Sequence, residues 1–531
     1  MQRLRHSLIC ISLLFIILSV FSCGQSMPYR FLDEINSIDA PFYMPQLKRP
    51  NIPSQQFDIR DFGAQEGGLI KNTQAIKSTV EAASKAGGGV VLIPKGKWLT
   101  GSIHLDDNIN LHISKDAELI FSQDFSDYLP AVFSRHEDVE CYKYSAFIYA
   151  NGKTNIAITG EGILNGQGKP WWSFKIDKKA SEQLLFEMAN KDVPVDKRIF
   201  DGKDGKQLRP AFFQPMNCTN ILVEGVTFLY GAFWTITPTY CENVIVRKVH
   251  IITEGSYGHT PNGDGIDPSS CKNVLIEDCE FDTGDDCIAI KAGRDMDGLR
   301  VGKSTENIVI RNCKGLRGHG GIVIGSETSG SIRNVYAENC QFKGTDRIVR
   351  IKTARGRGGV IENMWFKDLT GEHILLEALH LNMLYTGSRL PAQPVSNTTP
   401  SIRNIHFENI KIISGQGYAI ELLGLPEMFI ENISFQNINA QAINGMNISD
   451  AQKIIFSNSN IESKTEPVLK LTDVNKMSIE SVNFSDGDNL QIQVIGTKSR
   501  DITLRRTNIQ NSEKHILTDP NVSKQAIRFE E

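Results

Sequence analysis

One short pattern recurs along most of the chain: a polar anchor, usually asparagine, followed by an alternating apolar run. It reads Asn220-ILVEGVTF, Asn243-VIVRKVHI, Asn273-VLIEDCEF, Asn307-IVIRNCKG, Asn334-VYAENCQF, Asn363-MWFKDLTG, Asn404-IHFENIKI and Asn432-ISFQNINA. Weaker copies start at Asn155, Lys453, Lys476 and Asp501. From Asn220 onward the interval varies between 21 residues (432 to 453) and 41 (363 to 404). Alternation with period two marks a short strand with one buried face. A single such strand has nothing to bury that face against, so the copies must stack. The expected fold is all-β: a right-handed parallel β-helix in which the variable intervals are loops on a constant coil. A leucine-rich repeat would need a Leu-dominated consensus and a narrower period, and neither is present.

The ends of the repeat are legible too. Phe57-DIRDFGA reads as a first strand, and residues 72–86 (NTQAIKSTVEAASKA) as an amphipathic helix stopped by Gly87-Gly88-Gly89. That helix is the expected N-terminal cap, covering backbone groups that an open stack would leave unpaired. Residues 90–164 continue as strands. Residues 170–210, with Trp171-Trp172, many Lys and Asp, and a helix-like SEQLLFEMA, interrupt the pattern as an inserted lobe. Residues 57–531 are therefore expected to form one solenoid of roughly eleven or twelve coils, where length alone would suggest three or four domains.

Ahead of it, Arg3 and Arg5 precede the apolar run Leu8 to Phe21, which is too short for a comfortable membrane span. Residues 1–22 are predicted to be an export signal of the lipoprotein type, with Cys23 lipidated, and 23–56 an N-terminal extension. The membrane contact expected is that anchor alone. Gly-Gln-Ser-Met after Cys23 lacks an acidic run, which favours the periplasm over the cell surface. Cysteines 141, 218, 241, 271, 279, 287, 313 and 340 include several at equivalent repeat positions, where they read as small buried hydrophobes. No CxxC occurs, so no zinc or other metal site is expected. A net charge of −4 argues against nucleic acid as a partner.

Between 262 and 352 the loops become chemically loaded. Asn262-GDGID holds Asp264 and Asp267, Gly284-DDCIAIKAG holds Asp285 and Asp286, Arg317-GHGGIVIGSE holds His319, and Arg347-IVRIKT holds Arg350 and Lys352. Asp285 and His319 each lie 12 residues after their anchors, and Asp264 precedes Asp286 by 22, about one coil. Coils ~4.8 Å apart bring three carboxylates together. Like charges ~5 Å apart repel by ~3 kcal/mol at an effective dielectric of ~20, so one of the three should keep its proton. An acid to protonate a leaving oxygen and carboxylates to activate water are what glycoside hydrolysis needs. Which carboxylate is the acid stays open at this level. Arg350 and Lys352, two apart on one strand, face the same way and suit an anionic sugar such as a uronic acid.

At these residues the sequence resembles the polygalacturonases, glycoside hydrolase family 28, whose signature is Asn-x-Asp, Asp-Asp, Gly-His-Gly and Arg-Ile-Lys in that order. Here they stand as Asn262-Gly263-Asp264, Asp285-Asp286, Gly318-His319-Gly320 and Arg350-Ile351-Lys352. The resemblance implies a pectin lyase-like β-helix that cleaves α-1,4-linked galacturonate in pectin with inversion, without a cofactor. It implies Asp285 as general acid, Asp264 and Asp286 as the pair activating water, His319 as their support, and Arg350 with Lys352 as ligands of the substrate carboxylate. Gly263, where endo-acting members usually carry Thr, is similar to the exo-acting bacterial branch. Loops at 170–210 and Glu140–Tyr149 are the expected walls, and the enzyme is expected to act as a monomer. The alternatives are a galacturonidase of rhamnogalacturonan or other pectins, a calcium-dependent pectate lyase, and a non-catalytic glycan-binding β-helix.

Overall fold

Each asparagine anchor sits at a corner of the coil with φ between +56° and +60°, a conformation Asn tolerates better than most residues. Its amide is both donor and acceptor, so it can stack on its own kind. Asn155, Asn220, Asn243, Asn273, Asn307, Asn334, Asn363, Asn404 and Asn432 each donate from Nδ2 to the asparagine one coil earlier. The file begins on Asn108, at distances of 2.7–3.5 Å. Lys453, Lys476 and Asp501 hold the same left-handed corner but carry no amide, which accounts for the weaker copies.

These features come from a computed structural model that describes residues 34–484, 491–512 and 514–530. The chain divides into two units, Met1–Asn36 and Ser37–Glu531. Of the first, only 34–36 are described, without regular structure; the predicted export signal and Cys23 lie outside the described residues.

The second unit is a right-handed parallel β-helix with three sheets. Inward side chains of successive coils align: Val223, Val246, Ile276, Ile310 and Ala337 in the first sheet. Leu164, Phe228, Ile251 and Phe281 do so in the second. In the third, Ile266, Ile288, Ile322, Val349 and Leu379 follow one another. All are essentially inaccessible to water, and each buried aliphatic contributes ~1.5–3 kcal/mol. All eight described cysteines are buried and free. The helix Thr73–Lys85 lays Ile76, Val80 and Ala83 on the first coils. Gly88 ends it at φ +123°, where a Cβ would stand 2.5 Å from that of Asn108.

Two long coils break the regularity. Asn108 to Asn155 spans 47 residues and Asn155 to Asn220 spans 65. Residues 132–143 therefore leave the coil instead of continuing it: Val132–His136 and Val139–Lys143 form an antiparallel hairpin. Ile199–Phe200 joins that hairpin, and the helix Lys179–Asn190 packs on it around Val139, Cys141, Leu185, Ala189, Phe200 and Leu208. This lobe is tied to the third sheet by Ser134 to Gln214 (2.6 Å), Arg135 to Ser269 (3.0 Å) and Ser269 to Asp138 (2.7 Å).

Candidate active site

The third sheet and the corner leading into it carry the acidic motifs. Ile266 pairs with Ile288, which sets Asp264 beside Asp286; Ile288 pairs with Ile322, which sets Asp285 beside His319. Asp264, Asp285 and Asp286 each bring a carboxylate oxygen within 4.8 Å of the other two. His319 Nδ1 lies 3.0 Å from Asp285 Oδ1. Arg350 and Lys352 both point outward from the strand Val349–Lys352 but differ in employment. Lys352 is buried and donates to Asp286 Oδ2 at 2.7 Å. Arg350 is half-buried, and its Nε has no partner.

The charges are sorted by environment. Burial, then the neighbouring Asp285, pushes the Asp264 carboxyl well above the usual range. Burial acts on Asp285 in the same sense, but the hydrogen bond and charge of His319 outweigh it and hold Asp285 below its ordinary value. That hydrogen bond lifts His319 to about 9 against burial. In the unliganded molecule the proton of this pair therefore sits on His319 at neutral pH and Asp285 is ionised, while Asp264 holds a proton more tightly than an ordinary carboxyl. Asp264 Oδ1 and Asp286 Oδ1 are buried without a partner, a state that a bound water or substrate hydroxyl would relieve.

Sequence reasoning gave no role to several groups that complete the site, Asp267 among them although its motif was noted. Lys291 is buried, 3.7 Å from Asp264 and 3.2 Å from Glu327, with its ammonium 4.3 Å from the Trp234 ring centroid. A lone lysine in the apolar strand CIAIKAG was the available signal. Asp267 is buried with neither oxygen partnered, and burial followed by the Asp264 charge raises it well above normal. Arg209, at the end of the lobe, donates to Pro261 O (2.6 Å) and Asn262 Oδ1 (2.7 Å), gripping the loop that presents Asp264. Nothing in the sequence near Arg209 announced this, because long-range packing of the insertion places it. His136 stacks on Phe233, and Phe233 on Trp234, at centroid distances of 4.8 Å each.

A second wall rises on the flank. The hairpin Glu254–Gly255 with Gly258–His259 carries Tyr257, which packs on Tyr230 (4.8 Å) and Trp172 (5.8 Å). The three carboxylates could in principle chelate a divalent cation. The ammonium groups of Lys291 and Lys352 already stand against two of them, an arrangement that suits proton chemistry better than calcium.

Comparison with known proteins places these residues in context. Residues 196–454 match the model of the glycosyl hydrolases family 28. The chain is 30% identical over 388 residues to a probable polygalacturonase of Vitis vinifera, covering 71% of this chain and 72% of that one. It is 25% identical to an exo-poly-alpha-D-galacturonosidase of Dickeya chrysanthemi, covering 77% and 72% respectively. Among solved structures, a hyperthermoactive exopolygalacturonase from Thermotoga maritima superposes with a TM-score of 0.71 at 36% identity, covering 78% of this chain and 93% of that one.

Proposed function

The chain belongs to the glycosyl hydrolases family 28, and on that premise we propose that it removes galacturonate units one at a time from the ends of pectic oligosaccharides, with inversion at the anomeric carbon. It is a glycoside hydrolase of galacturonic-acid-containing pectic substrates. The observation that carries the exo reading is the lobe. Arg209 grips the loop of Asp264 and lies over the Phe233 ring, which stacks on His136, and we read this group as a wall before the first carboxylate. A chain end fits against such a wall and a chain middle does not.

In the proposed chemistry Asp285 is the acid. It is ionised in the free molecule, but an entering galacturonate brings its own negative charge and excludes water, and both raise the proton affinity of Asp285. His319 then passes its proton to Asp285, and Asp285 protonates the departing glycosidic oxygen. A water held by the free oxygens of Asp264 and Asp286 loses its proton to Asp286 and attacks the anomeric carbon from the opposite face. Solvent returns that proton to His319. Arg350, half-buried on the outward row of the same sheet, takes the sugar carboxylate. Lys352 acts chiefly on Asp286, holding its carboxylate in place through the 2.7 Å hydrogen bond to Oδ2.

Digestion of trigalacturonate and of long polygalacturonate, with products sized, tests this reading. Monomer alone is expected from both; a ladder of oligomers would show endo action. One observation favours a second reading, retention through a covalent intermediate. Asp264, Asp285 and Asp286 each have a carboxylate oxygen within 4.8 Å of the others, so a carboxylate close enough to act as nucleophile is present beside the acid. The anomer first seen by NMR separates the two. We also propose export and lipid anchoring at Cys23, tested by radiolabelled palmitate incorporation that Cys23→Ala abolishes.

A further inference from the structure

Thr253 lies between the two loops that carry Asp264 and Asp285, and it is fully buried. Its Oγ1 donates to Gly263 O at 2.6 Å and accepts from Gly284 N at 3.0 Å. Each of those backbone groups belongs to the residue just before a carboxylate of the trio. Thr260 closes an arch by donating its N–H to Thr253 O at 2.9 Å. The Glu254–His259 hairpin spans the interval between the two threonines.

We propose that the Thr253 hydroxyl is a positioning group that fixes the separation of Asp264 and Asp285, and that residue 263 is glycine because the Thr253–Thr260 arch occupies the space a side chain would need. A Cβ on Gly263 would stand 2.7 Å from Thr253 Oγ1, 2.7 Å from Thr260 O and 2.9 Å from Thr253 Cβ. Real Cβ contacts are never that short, and one of the three atoms is backbone, so the arch and a larger residue 263 exclude each other.

The plainer alternative is that Thr253 only satisfies two buried backbone groups, which every core must do. The identity of the partners argues for more. They lie 10 and 31 residues away along the chain, on loops of two successive coils, and both lead directly into reacting carboxylates. One hydroxyl, making one donation and one acceptance, joins Gly263 to Gly284 on the near side of the carboxylates, where the backbone bond from Gly265 N to Asp286 O (3.0 Å) joins the loops on the far side. Valine has the same outline and makes neither bond. The inference rests on Asp264 and Asp285 being reacting groups, and its test has to keep the two questions apart.

The experiment compares T253V, T253S and D285N in the full chain, measuring kcat, KM and pH profile on trigalacturonate together with Tm. T253V is expected to lower kcat by ~100-fold, the effect of a shift of ~1 Å in a reacting group. KM should stay within ~3-fold, since substrate binding is untouched. The acid limb of kcat should also move, because Asp264 titrates against Asp285, Asp286, Lys291 and Lys352 at distances the bridge sets. T253S, which keeps the hydroxyl, should recover kcat to within ~3-fold of wild type. The inference is overturned if T253V keeps its kcat and acid limb, or if valine and serine fall alike in step with Tm. A D285N enzyme as active as wild type would instead overturn the catalytic assignment, whatever Thr253 does.

Discussion

The two ends of the cleft are built from opposite materials. Before Asp264, coils of 47 and 65 residues throw out a lobe with its own small core, and aromatic rings and buried cations crowd the corner. Among the described residues beyond Lys352, no coil throws out a lobe with its own sheet: the longest, 41 residues from Asn363 to Asn404, spends its extra length on the irregular segment 383–400. The outward row of the third sheet there reads Arg350, His380, Glu421 and Asn447, polar side chains on plain strands. One end is made by adding a packed lobe to the repeat and the other by staying closer to it. The difference teaches where the proposed end recognition can reside: in the inserted residues beside the first carboxylate, because past Arg350 the outward row is largely buried and engaged with itself, His380 with Glu421 and Asn447 with Glu421.

That division can be broken by substitution, and the largest effect belongs to the point where the ends meet. Asp285→Asn should lower kcat by about 10³-fold or more while leaving binding nearly intact, as steady-state kinetics with an independent binding measurement would show. On the open side, Arg350→Ala should raise KM for trigalacturonate about 10-fold with a smaller change in kcat, since it removes a charged hydrogen bond worth ~1.5–3 kcal/mol. A fall in kcat alone would move Arg350 out of substrate binding and into the chemistry.

On the closed side, Arg209→Met frees the Pro261–Asn262 loop. It should cost about 10-fold in kcat/KM and let oligomers appear among the products. An unchanged product pattern would remove the lobe from its part in end recognition. His319 gives the pH signature. The hydrogen bond to Asp285 raises its pKa from the ordinary 6.5 to about 9, so the charged His319–Asp285 couple is complete below the unfolded value and dissolves as pH rises through about 9. Activity should hold to about pH 9 and then fall, the small stability contribution of the pair should fade over the same interval, and His319→Gln should abolish this limb.

The smallest effect is structural and compares the two halves of the stack. Asn243→Ala loses two amide bonds and should cost about 1–2 kcal/mol in chemical denaturation. Lys476→Ala, at the same corner but without an amide partner, should cost less than ~0.5 kcal/mol.

Much of this was legible in the amino-acid order because the repeat makes one coil predict the next. The third-sheet register that sets Asp264 beside Asp286 and Asp285 beside His319 follows from counting residues between anchors. The anchors themselves were read as polar, but their reason was hidden: φ near +58° and an amide file are properties of the folded stack. Residues 132–143 were read as strands, which they are, but an alternating strand looks the same in a lobe as in a solenoid, so their place in the hairpin was not legible. Arg209 and Thr253 were invisible for a related cause. Their roles arise from contacts with loops 53 and 10 residues away, which no local pattern encodes. Lys352 was seen as one half of a cationic pair for substrate, whereas its ammonium is already engaged by Asp286.

The asparagine file gives the molecule something like the lattice constant of a one-dimensional crystal. Because one corner of every coil is pinned to its neighbour, a loop elsewhere can lengthen without changing the rise between coils. The neighbours of the 65-residue coil meet it at the same amide contact as any other. Evolution can thus rewrite the entrance of such a cleft by insertion alone, while the ruler that spaces the carboxylates stays uncut.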